Sequence, residues 1–167
     1  KSDGWLAPAL KTKEKLMFRK AVIVLMALGS TAVMAMDQEQ AEKVTEVRQA
    51  VLEVVGWNTG PMAAMAKKNI PYDADEFAKR ADRIAFMLDM LPDAFAPDTR
   101  DAVLETEALD VIWDERDDFN RLADEARDKA RAAETAARTG DFSVAQAAFL
   151  EMGQACKACH DRFREED

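Results

Sequence analysis

Cys156, Cys159 and His160 are the residues of this chain whose types and spacing favour chemistry most clearly. In a helix, positions i, i+3 and i+4 share one face, so two thiols and one imidazole would point the same way. The chain contains 2 cysteines and 1 histidine, and all of them fall in this segment. Cys-x-x-Cys-His is the pattern of covalent haem attachment, in which the thiols add to the vinyl groups and the imidazole binds the iron. The motif therefore predicts one haem c, held by Cys156 and Cys159, with His160 as the iron ligand.

Other interpretations of this motif require features that the sequence lacks. A disulfide between Cys156 and Cys159 would be strained across one turn of a regular helix. A thioredoxin-like redox pair opens a helix after a strand, whereas these cysteines lie near the end of a helical pattern. A zinc site needs a fourth ligand, and none follows at zinc-finger spacing. An exported helical interaction module with a simple disulfide is the remaining non-haem alternative.

Residues 17–35 have the composition of a secretory signal peptide. A short basic segment precedes the apolar run AVIVLMAL at residues 21–28, and VMA at residues 33–35 provides a cleavage site. The apolar run is too short to span a bilayer comfortably, and an uncleaved N-terminal anchor is the alternative. Residues 1–16 carry no fold pattern and are interpreted as an upstream extension. We therefore expect export to the periplasm, with no stable membrane insertion after processing and a mature part at residues 36–167.

The mature part is long enough for one domain and is strongly acidic. The whole chain carries 23 basic and 32 acidic residues; residues 1–35 hold 6 and 2 of them, which leaves 17 and 30, a net charge of −13. Because contacts with nucleic acid phosphates need a basic face, this charge argues against nucleic acid binding. It favours solubility and is compatible with steering of a basic redox partner protein.

The apolar residues of the mature part recur at helical spacing and predict four amphipathic helices. The first continues through Gly56 to a turn at residues 69–73, where Pro71 breaks the helix and Asp73 or Asp75 caps the next one. The second helix ends near Pro92. The third covers residues 112–138, and part of the long connection before it, residues 102–109, is a candidate short helix.

The fourth predicted helix follows Gly140, with Asp141 or Ser143 as its cap, and carries the motif. Its apolar stripe advances in alternate steps of three and four residues and comprises Phe142, Ala145, Phe149, Met152, Cys156, Cys159 and Phe163. Both cysteines therefore belong to the buried face of this helix. Four such helices with mostly short connections predict an all-α fold, an antiparallel four-helix bundle with the haem in its interior.

A Cys-x-x-Cys-His motif at the C-terminus of a four-helix chain resembles the class II cytochromes c, the cytochrome c′ and cytochrome c-556 family. Residues 47–52 (VRQAVL) look like the Arg-Gln motif of the family's first helix, and residues 67–73 (KKNIPYD) look like its first turn. Residues 112–113 (IW) resemble the start of its third helix, and residues 156–164 (CKACHDRFR) resemble its C-terminal signature. The resemblance covers nearly all of residues 36–167.

The resemblance implies that the residue four positions after Arg48 decides the branch of the family. In the c-556 type this residue is a methionine that takes the second axial site, and in the c′ type it is non-ligating and often leucine. Here it is Leu52, whose side chain has no lone pair to offer iron. We therefore expect a five-coordinate, high-spin haem whose dry distal pocket admits small uncharged diatomic gases such as NO and CO. The alternative is a six-coordinate, low-spin electron carrier of c-556 type with a methionine ligand.

The resemblance also implies supporting roles near the haem for Arg48, Gln49 and Arg164. Arg48 is expected near the propionates, and Arg164 near the propionates or the proximal face of the haem. A surface salt bridge with one of the many acidic residues is the alternative for both arginines. One-electron transfer and gas binding are expected rather than enzymatic turnover, because no second histidine or general base is evident.

Family members of the c′ type are commonly homodimers through their first two helices. The resemblance therefore implies a homodimer here as well. Candidate exposed apolar contacts on those helices are Trp57, Met87 and Met90.

Overall fold

The structure, a computed structural model, describes residues 36–165, and the predictions for residues 1–16 and 17–35 lie outside this part. The described residues form no strands, and their helices are α1 (Gln38–Ala66), α2 (Ala74–Asp89), α3 (Leu91–Ala94), α4 (Val111–Asp114), α5 (Arg116–Ala137) and α6 (Phe142–Phe163). Within residues 36–165, no helix combines the length and the apolar character that a membrane crossing requires.

The four long helices α1, α2, α5 and α6 form the four-helix bundle that the sequence predicts. Short connections join α1 to α2 and α5 to α6, so these neighbours are antiparallel. Helix α5 packs extensively on both α2 and α6, and α1 packs on α2. Helices α1 and α6, by contrast, meet at only a few points. The bundle is therefore tight everywhere except where α1 faces α6.

Alanine produces the tight packing around α5. The buried face of this helix consists largely of small side chains at helical spacing, Ala123, Ala126, Ala130, Ala133 and Ala137. These small residues let the helix backbones approach closely. Larger side chains from the neighbouring helices, such as Phe77, Ile84 and Met152, fill the space that remains between the helices. This packing fixes the rotation of α6 and keeps the stripe that contains Cys156 and Cys159 turned towards the core.

Two of the predicted helix caps are confirmed. The carboxylate of Asp73 accepts a hydrogen bond from the Glu76 backbone N–H at 3.0 Å and begins α2. The carboxylate of Asp141 accepts from the N–H groups of Ser143 at 2.7 Å and Val144 at 3.2 Å, so Asp141 is the cap of α6. Gly140 precedes it with φ of 78°, a left-handed conformation that glycine adopts without steric cost.

Replacing Asp141 by alanine is expected to lower the free energy of unfolding by about 1 kcal/mol, because two N–H groups of the first turn of α6 lose their acceptor. Urea unfolding followed by circular dichroism measures this change. Glu151→Ala is the matched control, since Glu151 makes an exposed ion pair with Lys129, worth less than about 1 kcal/mol. Equal losses in the two variants would contradict the assigned cap.

The second predicted helix ends close to Pro92, as expected, whereas the third is interrupted. Helix α2 ends at Asp89, and Pro92 lies inside the first turn of α3, where its missing N–H has no helical partner to lose. The predicted third helix is broken at Glu115, whose φ of −116° and ψ of 41° are not helical. The two parts are α4 and α5.

The short helix predicted at residues 102–109 was also wrong. This segment is irregular, and its backbone is bonded to α6 instead of to itself. Leu109 N–H donates to the Phe163 carbonyl at 3.0 Å, and Glu165 N–H donates to the Glu107 carbonyl at 2.8 Å. Because a helix this short has little stability of its own, these external partners decide its conformation.

Candidate haem site

Helix α6 brings the three predicted haem residues onto one turn. Cys156 and Cys159 are free thiols that are partly buried against the hydrophobic core. His160 follows on the adjacent flank of the helix and is exposed. A pair of free thiols beside one imidazole is the donor set that covalent haem attachment needs. Among the described residues, no group of three or more His, Cys, Asp or Glu side chains is arranged to hold a metal ion by itself.

The surroundings keep all three donor groups uncharged at neutral pH. Burial raises the pKa of the Cys156 thiol and raises that of Cys159 to about 11, so both remain protonated. Partial burial of the imidazole, followed by the positive charge of Arg164, lowers the pKa of His160. A neutral imidazole keeps the lone pair that binds a metal.

A side-chain hydrogen bond fixes the register between α1 and α6. Gln146 Nε2 donates to the carbonyl of Ala66 at 2.6 Å, and from this point the two antiparallel helices run side by side. Leu52 lies fourteen residues before Ala66 on α1, and His160 lies fourteen residues after Gln146 on α6. Because the two helices are antiparallel, both residues are displaced from the hydrogen bond in the same direction, by about 21 Å or close to four full turns. Both residues therefore lie at the same level, within about one turn, and both are exposed. We call the flanks of α1 and α6 at this level, which carry Leu52 and His160, the α1–α6 seam.

Two exposed glycines lie near Leu52 and His160 along the two helices. Gly56, one turn after Leu52, and Gly153, two turns before His160, lie on the flanks of the seam. A Cβ atom added at either glycine would meet no atom within 4 Å. Leu52 itself is 41% exposed, although most apolar residues of the bundle are buried. In their chemistry the residues at the seam fit a haem, since Leu52 offers an apolar side chain and His160 an imidazole.

Arg48 is held by hydrogen bonds to α3 and the connection after it. The surface salt bridge, one of its two expected environments, was wrong, because the residue is only 4% exposed and makes no ion pair with a carboxylate of the described residues. Its guanidinium donates instead to the Ala94 carbonyl at 2.9 Å, to Thr99 Oγ1 at 2.8 Å and to the Pro97 carbonyl at 2.6 Å. A contact between Arg48 and a haem propionate stays a prediction.

Gln49 and Arg164 both contact the long connection between α3 and α4. Gln49 Nε2 donates to the Glu105 carbonyl at 3.1 Å and is exposed. Arg164 Nε donates to Glu107 Oε2 at 2.6 Å, the surface salt bridge that was its alternative. The charge of Arg164 nevertheless acts on His160, one turn earlier, and lowers its pKa. Haem contacts for Gln49 and Arg164 also stay predictions.

The comparisons with known proteins identify the family of this chain. A family model described as cytochrome c′ matches residues 43–164. The chain belongs to the cytochrome c′ family. The cytochrome c′ of Halomonas halodenitrificans is 36% identical over 131 residues, which cover 76% of this chain and 99% of the relative. Members of this family bind haem c covalently and have the four-helix-bundle fold.

Solved structures of the cytochrome c′ family match the described fold. Cytochrome c prime from Shewanella frigidimarina is 32% identical with a TM-score of 0.71, and the match covers 78% of this chain and 100% of that one. A nitric oxide complex of a leucine variant of cytochrome c prime from Alcaligenes xylosoxidans is 27% identical with a TM-score of 0.66. That match covers 74% of this chain and 94% of the other.

In this cytochrome c′ family member, the methionines considered as a second iron ligand lie away from His160. Met62 and Met65 are buried in the core, and the sulfur of Met65 accepts the Asp73 N–H at 3.4 Å. Both lie at least about 15 Å along α1 from Leu52. Met152 is buried on α6, about 12 Å along the helix from His160.

Sequence reasoning missed the residues that surround Arg48. The Trp113 indole N–H donates to the carbonyls of Phe95 and Pro97, and Arg116 donates to those of Phe95 and Pro92. These acceptors are backbone carbonyls of an irregular segment, which leave no side-chain pattern in the sequence. The only usable indication of this cluster in the sequence was that Arg48, Arg116 and Trp113 lie at positions with no evident surface partner.

Proposed function

We propose that this chain is an exported haem protein whose iron is five-coordinate, binds small diatomic gases and exchanges single electrons. The observation that carries the proposal is the register of Leu52 and His160 across the α1–α6 seam. A residue with a ligating nitrogen lies at the same level as a residue that has no donor atom. Export to the periplasm is part of the proposal and is supported by the composition of residues 17–35.

The residues of α6 hold and orient the haem in this proposal. Cys156 and Cys159 would form the two thioether links, and their shared helix turn fixes the plane of the group. His160 would supply the single protein ligand, since its imidazole is neutral at physiological pH. When bound, the haem provides an iron that exchanges one electron or binds one gas molecule.

Leu52 would act by exclusion on the other side of the haem. Its side chain is apolar, so a water molecule or an anion at this place would lose its hydrogen bonds and gain none. An uncharged diatomic gas does not incur this cost. The proposed selectivity for NO and CO thus follows from the chemistry of one side chain, and turnover of a larger substrate is not part of the proposal.

The nitric oxide complex of the Alcaligenes xylosoxidans relative supports the gas-binding part of this proposal. A six-coordinate c-556-type carrier would need a methionine at the level of His160. In the described residues the methionines on α1 and α6 are Met62, Met65 and Met152, which are buried two or more turns away.

A CO titration of the reduced, haem-loaded protein tests the proposed function. We expect one CO to bind per haem, and we expect the oxidised protein to bind cyanide far more weakly than a haem that is open to water. An optical spectrum that CO does not change would contradict the proposal and favour the six-coordinate carrier. A protein matured in a competent host without any haem absorption would contradict both.

We further propose a homodimer through the outer faces of α1 and α2. Trp57 is 76% exposed on α1, and Phe86 at 63% and Met90 at 40% are exposed on α2. Met87 is partly buried against the core, so its prediction as an exposed contact was wrong. Val54, at 39%, is a further exposed apolar residue of α1.

Trp57→Glu is expected to convert the dimer to a monomer, because it introduces a charge at the centre of this apolar face. Light scattering after size-exclusion chromatography measures the mass. Val103→Glu is the matched control, since Val103 is 89% exposed in the connection between α3 and α4, outside the proposed interface. A wild-type protein that is monomeric at high micromolar concentration would contradict the dimer.

A further inference from the structure

Side chains of α1 bond to the connection between α2 and α4 at several points. We call residues 92–110 the strap. Arg48 makes its three hydrogen bonds to the strap, at Ala94, Pro97 and Thr99. Gln49 adds a fourth at the Glu105 carbonyl. The turn of α1 that ends at Leu52 is therefore held mainly by the strap on this side of the helix.

The other end of the strap is attached to α6 just after His160. Glu107 forms a salt bridge with Arg164 at 2.6 Å, and its carbonyl accepts the Glu165 N–H at 2.8 Å. Leu109 N–H donates to the Phe163 carbonyl at 3.0 Å. The strap thus connects the helix that carries Leu52 to the helix that carries His160, two helices that have few direct contacts with each other.

Burying the charged guanidinium of Arg48 costs free energy, and a role for its position would account for that cost. Its guanidinium has no carboxylate within hydrogen-bonding distance, and it stacks over the rings of Phe95 at 4.7 Å and Trp113 at 5.2 Å. Burial, together with the nearby charge of Arg116, lowers the pKa of Arg48 to about 10. A planar guanidinium can reach three acceptors at once while it stacks between rings, and a lysine ammonium cannot.

We propose that Arg48 is a positioning residue, which sets the depth of Leu52 in the seam by fixing α1 to the strap. Leu52 follows Arg48 by one helical turn on the same side of α1, so a shift of one moves the other. This inference rests on the proposed function, because the depth of Leu52 matters only if it controls access to the iron. If the hydrogen bonds between α1 and the strap are lost, Leu52 is free to move aside, and a gas molecule reaches the iron faster.

Arg48→Lys tests the inference, with Arg116→Lys as its matched control. Arg116 holds the same strap through the Phe95 and Pro92 carbonyls, but from α5. In the haem-loaded protein we expect Arg48→Lys to raise the CO association rate by about 2- to 30-fold. We expect Arg116→Lys to leave this rate within about twofold of wild type, although both variants lose stability. Thr99→Val, which removes one acceptor and disturbs folding less, should change the rate in the direction of Arg48→Lys.

Hydrogen exchange at the amides of residues 49–53 provides a second readout that does not depend on gas binding. Exchange should be faster in Arg48→Lys than in Arg116→Lys when both are compared at equal global stability. Equal exchange and equal CO rates in the two variants would overturn the positioning role. If the wild-type protein binds no CO, the proposed function fails, and the exchange comparison alone decides whether Arg48 fixes α1.

Discussion

Leu52→Met is expected to change the haem from five-coordinate to six-coordinate. A thioether at this position would face His160 across the seam and offer the lone pair that leucine lacks. CO would then have to displace an internal ligand, and we expect its affinity to fall about 100-fold, which corresponds to about 2.7 kcal/mol. Optical spectra and CO titrations of the reduced variant measure both effects. Leucine and methionine have similar volumes, so the free energy of unfolding should change by less than about 1.5 kcal/mol.

Leu52→Ile is the control for this substitution, because it keeps an apolar side chain of the same size without a donor atom. It should remain five-coordinate and should alter only the rate of CO binding. A five-coordinate Leu52→Met protein with the CO affinity of wild type would show that Leu52 does not face the iron. The register derived from the hydrogen bond between Gln146 and Ala66 would then be wrong.

Cys156→Ser combined with Cys159→Ser is expected to abolish covalent haem attachment. A serine hydroxyl has the size of a thiol but does not form a thioether with a vinyl group under these conditions. Haem staining of a denaturing gel, after maturation in a competent host, measures the loss directly. Each single variant should retain one link and show a shifted α band in the pyridine haemochrome spectrum.

Ala158→Ser is the matched control, since it places the same hydroxyl group between the two cysteines at an exposed position. It should bind haem as wild type does. Covalent haem in the double serine variant would contradict the assignment of Cys156 and Cys159. Loss of haem in Ala158→Ser would show that the staining reports impaired maturation rather than missing thiols.

The parts of this protein that sequence reasoning predicted well are local in the chain. The turn that carries Cys156, Cys159 and His160 needs only helical spacing, and the caps at Asp73 and Asp141 need only a carboxylate followed by a helical pattern. The bundle follows from apolar stripes joined by short connections. For these features the physical cause lies within a few residues of its effect.

The features that were missed depend on contacts between distant segments. Nothing near Arg48 in the sequence shows that its acceptors are two carbonyls and a threonine hydroxyl about 50 residues later. The 102–109 segment has some helical character, but its partners are at the end of α6.

The central claim is that His160 is the only protein ligand of the iron and that Leu52 faces it. The resonance Raman spectrum of the reduced, haem-loaded protein without any added ligand tests this claim most directly, because its marker bands report spin state and coordination number. We predict a five-coordinate, high-spin spectrum that becomes six-coordinate and low-spin when CO is added. A six-coordinate, low-spin spectrum before any addition would contradict the account and would mean that another side chain reaches the iron.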